Sequence, residues 1–176
     1  MPGPGDHDER NRHIGCSHCR VAWTAFQEIR RRQPERVAFV FRHYPMGYAY
    51  DAARAGVCAD RQGKFEDLFD LLVEHEYRPP QRGTDEQVAS IGGRSWNALA
   101  EDVGVADLEQ FNACMDEENL PSVIEEDMEA GKELEIAAVP LILINDMLIR
   151  GNPGAETLDS IVTDILDRVP ADNSVR

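Results

Sequence analysis

Cys16-Ser17-His18-Cys19 leads straight into residues 20–32, RVAWTAFQEIRRR, and the reading of this stretch decides the fold. Val21, Ala22, Ala25, Phe26 and Ile29 recur at helical spacing, and Arg30, Arg31 and Arg32 complement the negative C-terminal end of a helix. The two cysteines therefore sit on the first turn of an amphipathic helix, close enough to form a small disulfide ring. The positive N-terminal end of the helix favours a thiolate on the earlier sulfur, which makes Cys16 the candidate nucleophile and Cys19 the resolving thiol. His18 between them can add positive charge or a hydrogen-bond donor, lowering the Cys16 pKa and making the pair oxidising. Two other readings stand beside this one. His13, Cys16 and Cys19 are three metal-capable groups in one short segment, but zinc usually needs a fourth ligand, and Cys58 and Cys114 form no second close pair. The cysteines can also be purely structural.

The 176 residues suit one domain with a substantial core, 42% of them are apolar, and no apolar run is long enough to span a bilayer. Asp and Glu outnumber Lys and Arg 33 to 18, and the resulting charge of −15 repels nucleic acid and anionic lipid. Part of it falls on Glu125, Glu126, Asp127 and Glu129, which read as a solvated helix face. Residues 1–12 carry Pro, Gly and charge without an apolar stretch, so they read as a disordered segment and not as a signal peptide.

After Pro34, residues 36–42 (RVAFVFR) form a continuous β-prone run that predicts a strand covered on both faces. Helices follow at 49–62, rich in Ala and Gly, and at 65–77. A Pro- and Gly-containing loop at 78–94 leads to helices at 95–103, 107–118 with Asp107 as N-cap, and 122–135. Residues 140–144 (PLILI) and 147–150 (MLIR) around Asn145-Asp146 predict an antiparallel hairpin, and 155–168 a last amphipathic helix before a tail at 170–176. His43 reads as structural at a strand end, Trp23 and Trp96 as core or rim aromatics, and Cys58 and Cys114 as small buried hydrophobes that can also pair with each other.

Cys16-Ser17-His18-Cys19, Phe41-Arg42-His43-Tyr44-Pro45-Met46, Gly63-Lys64-Phe65 and Ala138-Val139-Pro140-Leu141 together resemble the DsbA-like thiol-disulfide oxidoreductases. The resemblance implies an α/β, thioredoxin-like fold over residues 13–169 with an inserted helical subdomain at about 49–135. It implies that Cys16 attacks, that Cys19 is the buried resolving thiol, and that His18 tunes Cys16. Pro140 would be a cis-proline whose loop lies against the pair, with Val139 contacting substrate through its backbone. The implied partners are cysteine-containing protein substrates and a redox partner, with no metal or organic cofactor and a location outside the cytoplasm. A thioredoxin-like binding module without activity and a small zinc-binding protein remain the alternatives. Ser17 departs from the family, which commonly has proline after the first cysteine. The charged residues 6–15 also depart, because a buried central strand precedes the cysteine helix in this fold. The sequence as given is therefore expected to be truncated, the native product carrying an apolar β-forming segment before Cys16.

Overall fold

The computed structural model describes residues 16–45, 49–75, 77 and 94–168. The expectations for residues 1–12, for most of the 78–94 loop and for the tail at 170–176 lie outside the described residues. Among the described residues there are seven helices and two strands: α1 (Ser17–Arg32), α2 (Tyr50–Asp60), α3 (Phe65–Glu74), α4 (Trp96–Asp102), α5 (Leu108–Met115), α6 (Ser122–Glu133), β1 (Leu141–Ile144), β2 (Met147–Arg150) and α7 (Ala155–Arg168). The chain has the thioredoxin-like α/β fold with a helical insertion, and it divides into two compact units.

One unit joins Ser17–Phe41 to the chain from Ile136 onward. β1 and β2 form an antiparallel hairpin in which Leu143 faces Leu148 and Ile142 faces Ile149. Asn145 turns it at φ 54°, a left-handed conformation that asparagine tolerates better than most residues. One face of the hairpin packs onto the helices: Ile142 joins Ala22, Ala25 and Ile29 of α1 and Leu158 and Val162 of α7, with Ile144, Ile149, Phe26 and Val37 at the margin. Arg32 to Asp159, at 2.5 Å, and Arg36 to the Leu166 carbonyl tie α1 and its exit to α7.

The expected strand at 36–42 is corrected. Residues 37–41 are extended, but the one sheet among the described residues contains only β1 and β2. The physical reason is that an extended segment becomes a strand only when its N–H and C=O groups enter a ladder, and among the described residues the only ladder joins β1 to β2. Nor is the segment covered on both faces. Phe39 and Phe41 pack edge-on against Trp23, with ring centroids at 5.5 and 6.1 Å, whereas Val40 on the opposite face is 71% exposed.

The other unit contains Cys16 and Arg42–Glu135. α2 is a nearly continuous buried surface of small residues, and its closeness to its neighbours is measurable at Gly56, where an added Cβ would lie 3.2 Å from the Phe65 ring and 3.5 Å from His43. The end of α2 is clamped to α5. The Gln62 side chain donates to the Asp107 carbonyl and accepts from the Asp107 N–H, both at 2.8 Å, and Arg61 pairs with Glu117. Ser95 and Asp107 cap α4 and α5 by accepting the N–H groups of Ala98 and Gln110, satisfying donors that a helix start leaves open. Cys58 of α2 and Cys114 of α5 are joined by a disulfide, the pairing that the sequence left open.

The acidic face assigned to α6 also needs correction. Asp127 is buried and follows Ile124 by three residues on the inward stripe that ends at Gly131. Its carboxylate accepts the His43 N–H and an Arg42 guanidinium N–H, each at 2.7 Å. One oxygen thus neutralises Arg42 while the other satisfies a buried backbone donor. Asp127→Ala leaves that donor unsatisfied, and an expected loss of about 2 kcal/mol follows, measurable by denaturant unfolding.

His43 lies against the Phe65 ring at 5.8 Å between centroids, and burial lowers its pKa against the opposing pull of Asp127 and Asp60. The folded state therefore resists protonation that the unfolded chain accepts. The stability from neutral His43 is fully present above its ordinary pKa of 6.5 and is lost as pH falls through the lower folded value. His43→Gln should flatten this part of the curve: between about pH 7.5 and about pH 5.5 the variant loses less unfolding free energy than the parent.

Candidate functional site

α1 carries the sequence motif at its start. Cys16 immediately precedes the helix, Ser17 opens it, and His18 and Cys19 complete its first turn. That turn contains no acidic residue to offset the positive field of the helix N-terminus. Arg30, Arg31 and Arg32 occupy the last turn, where cations are favoured.

Cys16 and Cys19 are both thiols, and their exposure differs from what the resemblance implies. Cys16 is the buried one, at 2% exposure, and Cys19 is half-buried. Ser17 and His18 are exposed, so the imidazole stands in solvent at the helix mouth. Among the described residues no group of three or more His, Cys, Asp and Glu side chains is placed to hold a metal ion, and His13 lies outside those residues.

Val139 and Pro140 immediately precede β1 and are both half-buried. Their peptide bond is cis. The Pro140 carbonyl accepts the Gly151 N–H at 2.9 Å, which extends the hairpin bonding by one pair. Proline is suited to this place because the first residue of a strand can dispense with an N–H. The structure thus gathers Cys16, His18 and Cys19 at one helix start and Val139 and Pro140 at one strand start. The shared apolar cluster of Ala22, Ala25, Ile29 and Ile142 packs the helix bearing Cys19 against the strand that Pro140 opens.

Sequence reasoning missed Asp127, the buried carboxylate that fixes the backbone after residue 41. Its signal was spacing: Ile124, Asp127 and Gly131 fall on one helical stripe, so the acid lies on the apolar face. No helix among the described residues is long and apolar enough to cross a membrane.

Known proteins share the fold. Over 92% of the chain the fold matches a thioredoxin-like oxidoreductase from Silicibacter pomeroyi, at 24% identity, a TM-score of 0.67 and 86% of that structure. The thiol-disulfide exchange protein alpha-DsbA2 from Wolbachia pipientis matches over 93% of the chain and 85% of its own, at 17% identity and a TM-score of 0.64. A probable DsbA oxidoreductase from Streptomyces coelicolor matches 71% of the chain and 51% of its own, at 19% identity and a TM-score of 0.52. Among curated proteins, Na(+)/H(+) antiporter NhaA 1 from Mycolicibacterium vanbaalenii is 24% identical over 149 residues, 81% of this chain. The chain spans only 22% of that relative's length. The similarity to the family described as Thioredoxin runs over residues 12–164 and so takes in the cysteine helix, the helical insertion, the hairpin and most of the last helix. With a dithiol at the mouth of α1, a proline opening β1 and that match over most of its length, the chain belongs to the thioredoxin family.

Proposed function

We propose that the protein is a thiol-disulfide oxidoreductase that oxidises cysteine-containing protein substrates through Cys16 and Cys19. The observation that carries this reading is the pair of thiols at the start of α1, a helix whose first turn holds no acidic residue, in a thioredoxin-family chain. In the oxidised protein a substrate thiolate attacks Cys16 Sγ, the Cys16–Cys19 bond breaks, and Cys19 leaves as a thiolate that takes up a proton. A second substrate thiolate then attacks its own sulfur in the mixed disulfide and releases Cys16. The helix end stabilises Cys16 as the final leaving thiolate, and protonated His18 adds to that field. Both effects favour the reduced enzyme and hence net oxidation of substrate.

In this reading the loop at Val139 and Pro140 receives an extended substrate segment by backbone pairing, as an added strand would. Substrate choice then rests little on side chains and is broad. No metal or organic cofactor takes part, and a separate redox partner restores the disulfide. The Cys58–Cys114 disulfide favours a location outside the cytoplasm, where such bonds persist.

A thioredoxin-like binding module without exchange activity is the second reading, favoured by the 2% exposure of Cys16. Brief alkylation of the folded, mildly reduced protein, followed by peptide mapping, separates the two when combined with an assay that oxidises a reduced unfolded protein. The expected result is preferential labelling of Cys16 together with substrate oxidation. Faster labelling of Cys19 transfers the attacking role to that residue. Full folding without exchange establishes the binding module.

A further inference from the structure

The net charge of −15 is not spread evenly along the chain. The unit built from Ser17–Phe41 and Ile136–Arg176 holds 8 Asp and Glu and 8 Lys and Arg, whereas Arg42–Glu135 holds 22 against 8. The excess therefore belongs to the helical unit. Within that unit α6 turns Ile124, Asp127 and Gly131 inward and leaves most of its circumference in solvent. Val123, Ala130 and Leu134 are exposed, Val123 at 41% and Leu134 at 46%. Their spacing of seven and four residues sets them in one row along the helix. Glu126 and Glu133, also exposed, run beside the row, three residues on from Val123 and Ala130. Neither is in a salt bridge among the described residues, whereas nearby Glu129 is held by Lys132, and Arg42 by the buried Asp127.

A row of aliphatic side chains edged by carboxylates is complementary to aliphatic side chains interleaved with ammonium or guanidinium groups. The same charge argues against other occupants. A second copy of this chain brings another helical unit of like sign, and nucleic acid and anionic lipid are repelled. We infer that the outer face of α6 docks cationic, leucine- or valine-containing segments of unfolded polypeptides. The inference rests on the thiol-disulfide exchange reading in one respect: that reading brings unfolded protein chains to this molecule as substrates, and the α6 face narrows them to basic ones. Backbone pairing at Val139 and Pro140 reads few side chains, so attraction to the helical unit supplies a preference that the loop lacks.

The test measures docking without exchange. Two unstructured, cysteine-free peptides of equal length carry a fluorescent label and the same leucines among glycine and serine; one has lysine and the other glutamate at the remaining positions. Binding to the full chain is read by fluorescence anisotropy at low ionic strength. The lysine peptide is expected to bind at least about tenfold more tightly than the glutamate peptide, and to lose most of this advantage in 1 M salt. Glu126→Gln/Glu133→Gln and Val123→Ser/Leu134→Ser should each weaken it at least about threefold. The control Asp164→Asn/Asp167→Asn removes the same charge from α7 and should change binding by less than about 1.5-fold. Circular dichroism checks that each variant is folded, and all six side chains are exposed. Equal weakening by the α6 and α7 charge variants, or none by either α6 variant, overturns the inference, since the attraction then belongs to the molecule's charge as a whole. Exchange is assayed separately on a reduced unfolded protein of no net charge. Exchange without docking on α6 overturns the inference and leaves the exchange reading standing; docking on α6 without exchange removes that reading and leaves the docking face.

Discussion

Cys16→Ser is expected to lower the rate of substrate oxidation by about a thousandfold or more, because a serine hydroxyl at neutral pH can neither form the disulfide nor leave as a stable anion. Serine is close to cysteine in size and shape, so the fold should persist, as circular dichroism can check. Cys19→Ser should behave differently. It keeps Cys16 but cannot form the Cys16–Cys19 disulfide, so when oxidised glutathione is supplied as the oxidant Cys16 is held in mixed disulfides that lack the neighbouring thiol to release them. The two variants assayed side by side on a reduced unfolded protein assign the roles. If Cys16→Ser retains more than a small fraction of activity while Cys19→Ser abolishes mixed-disulfide formation, the order of attack is reversed and the exposure of Cys19 explains it.

Removing the other pair should act on stability. Replacing Cys58 and Cys114 together by alanine opens a loop closed over 56 residues, for which chain entropy gives about 4 kcal/mol. The helix clamp formed by Gln62, Arg61, Asp107 and Glu117 survives the change, so a folded state should persist with a denaturant midpoint well below that of the parent. Trp96, stacked near Tyr77 at 5.5 Å, reports on the unit concerned when Trp23→Phe is used as the common background. A loss under about 1 kcal/mol would mean that the open chain already holds α2 and α5 together.

The helices were legible because their signals are local. The apolar spacing of α1, the caps Ser95 and Asp107, and the polar turn between β1 and β2 each depend on a few neighbouring residues. The extended run at residues 37–41 carries equally strong β-propensity, yet a strand is a relation between segments, and no ladder partner stands beside it among the described residues. The motif at Cys16 and Cys19 was visible, but their relative burial was not, since exposure depends on what packs around a helix start. Asp127 was misjudged by charge alone. Its position on the apolar stripe of α6 carried the better information, and Arg42, which makes its burial tolerable, lies 85 residues away.

Exposed apolar side chains on the extended segment and on the hairpin also govern how molecules of this protein treat one another. Val40 and Leu143, at 71% and 62% exposure, lie beside backbone that enters no further sheet among the described residues. Apolar side chains left in solvent favour association between molecules. Opposing it is a net charge of −15, whose mutual repulsion reaches across about 10 Å at 0.1 M ionic strength and shrinks to about 3 Å at 1 M. Salt therefore acts as a colloidal control: dilute buffer keeps the chains apart, and concentrated salt brings the sticky faces together.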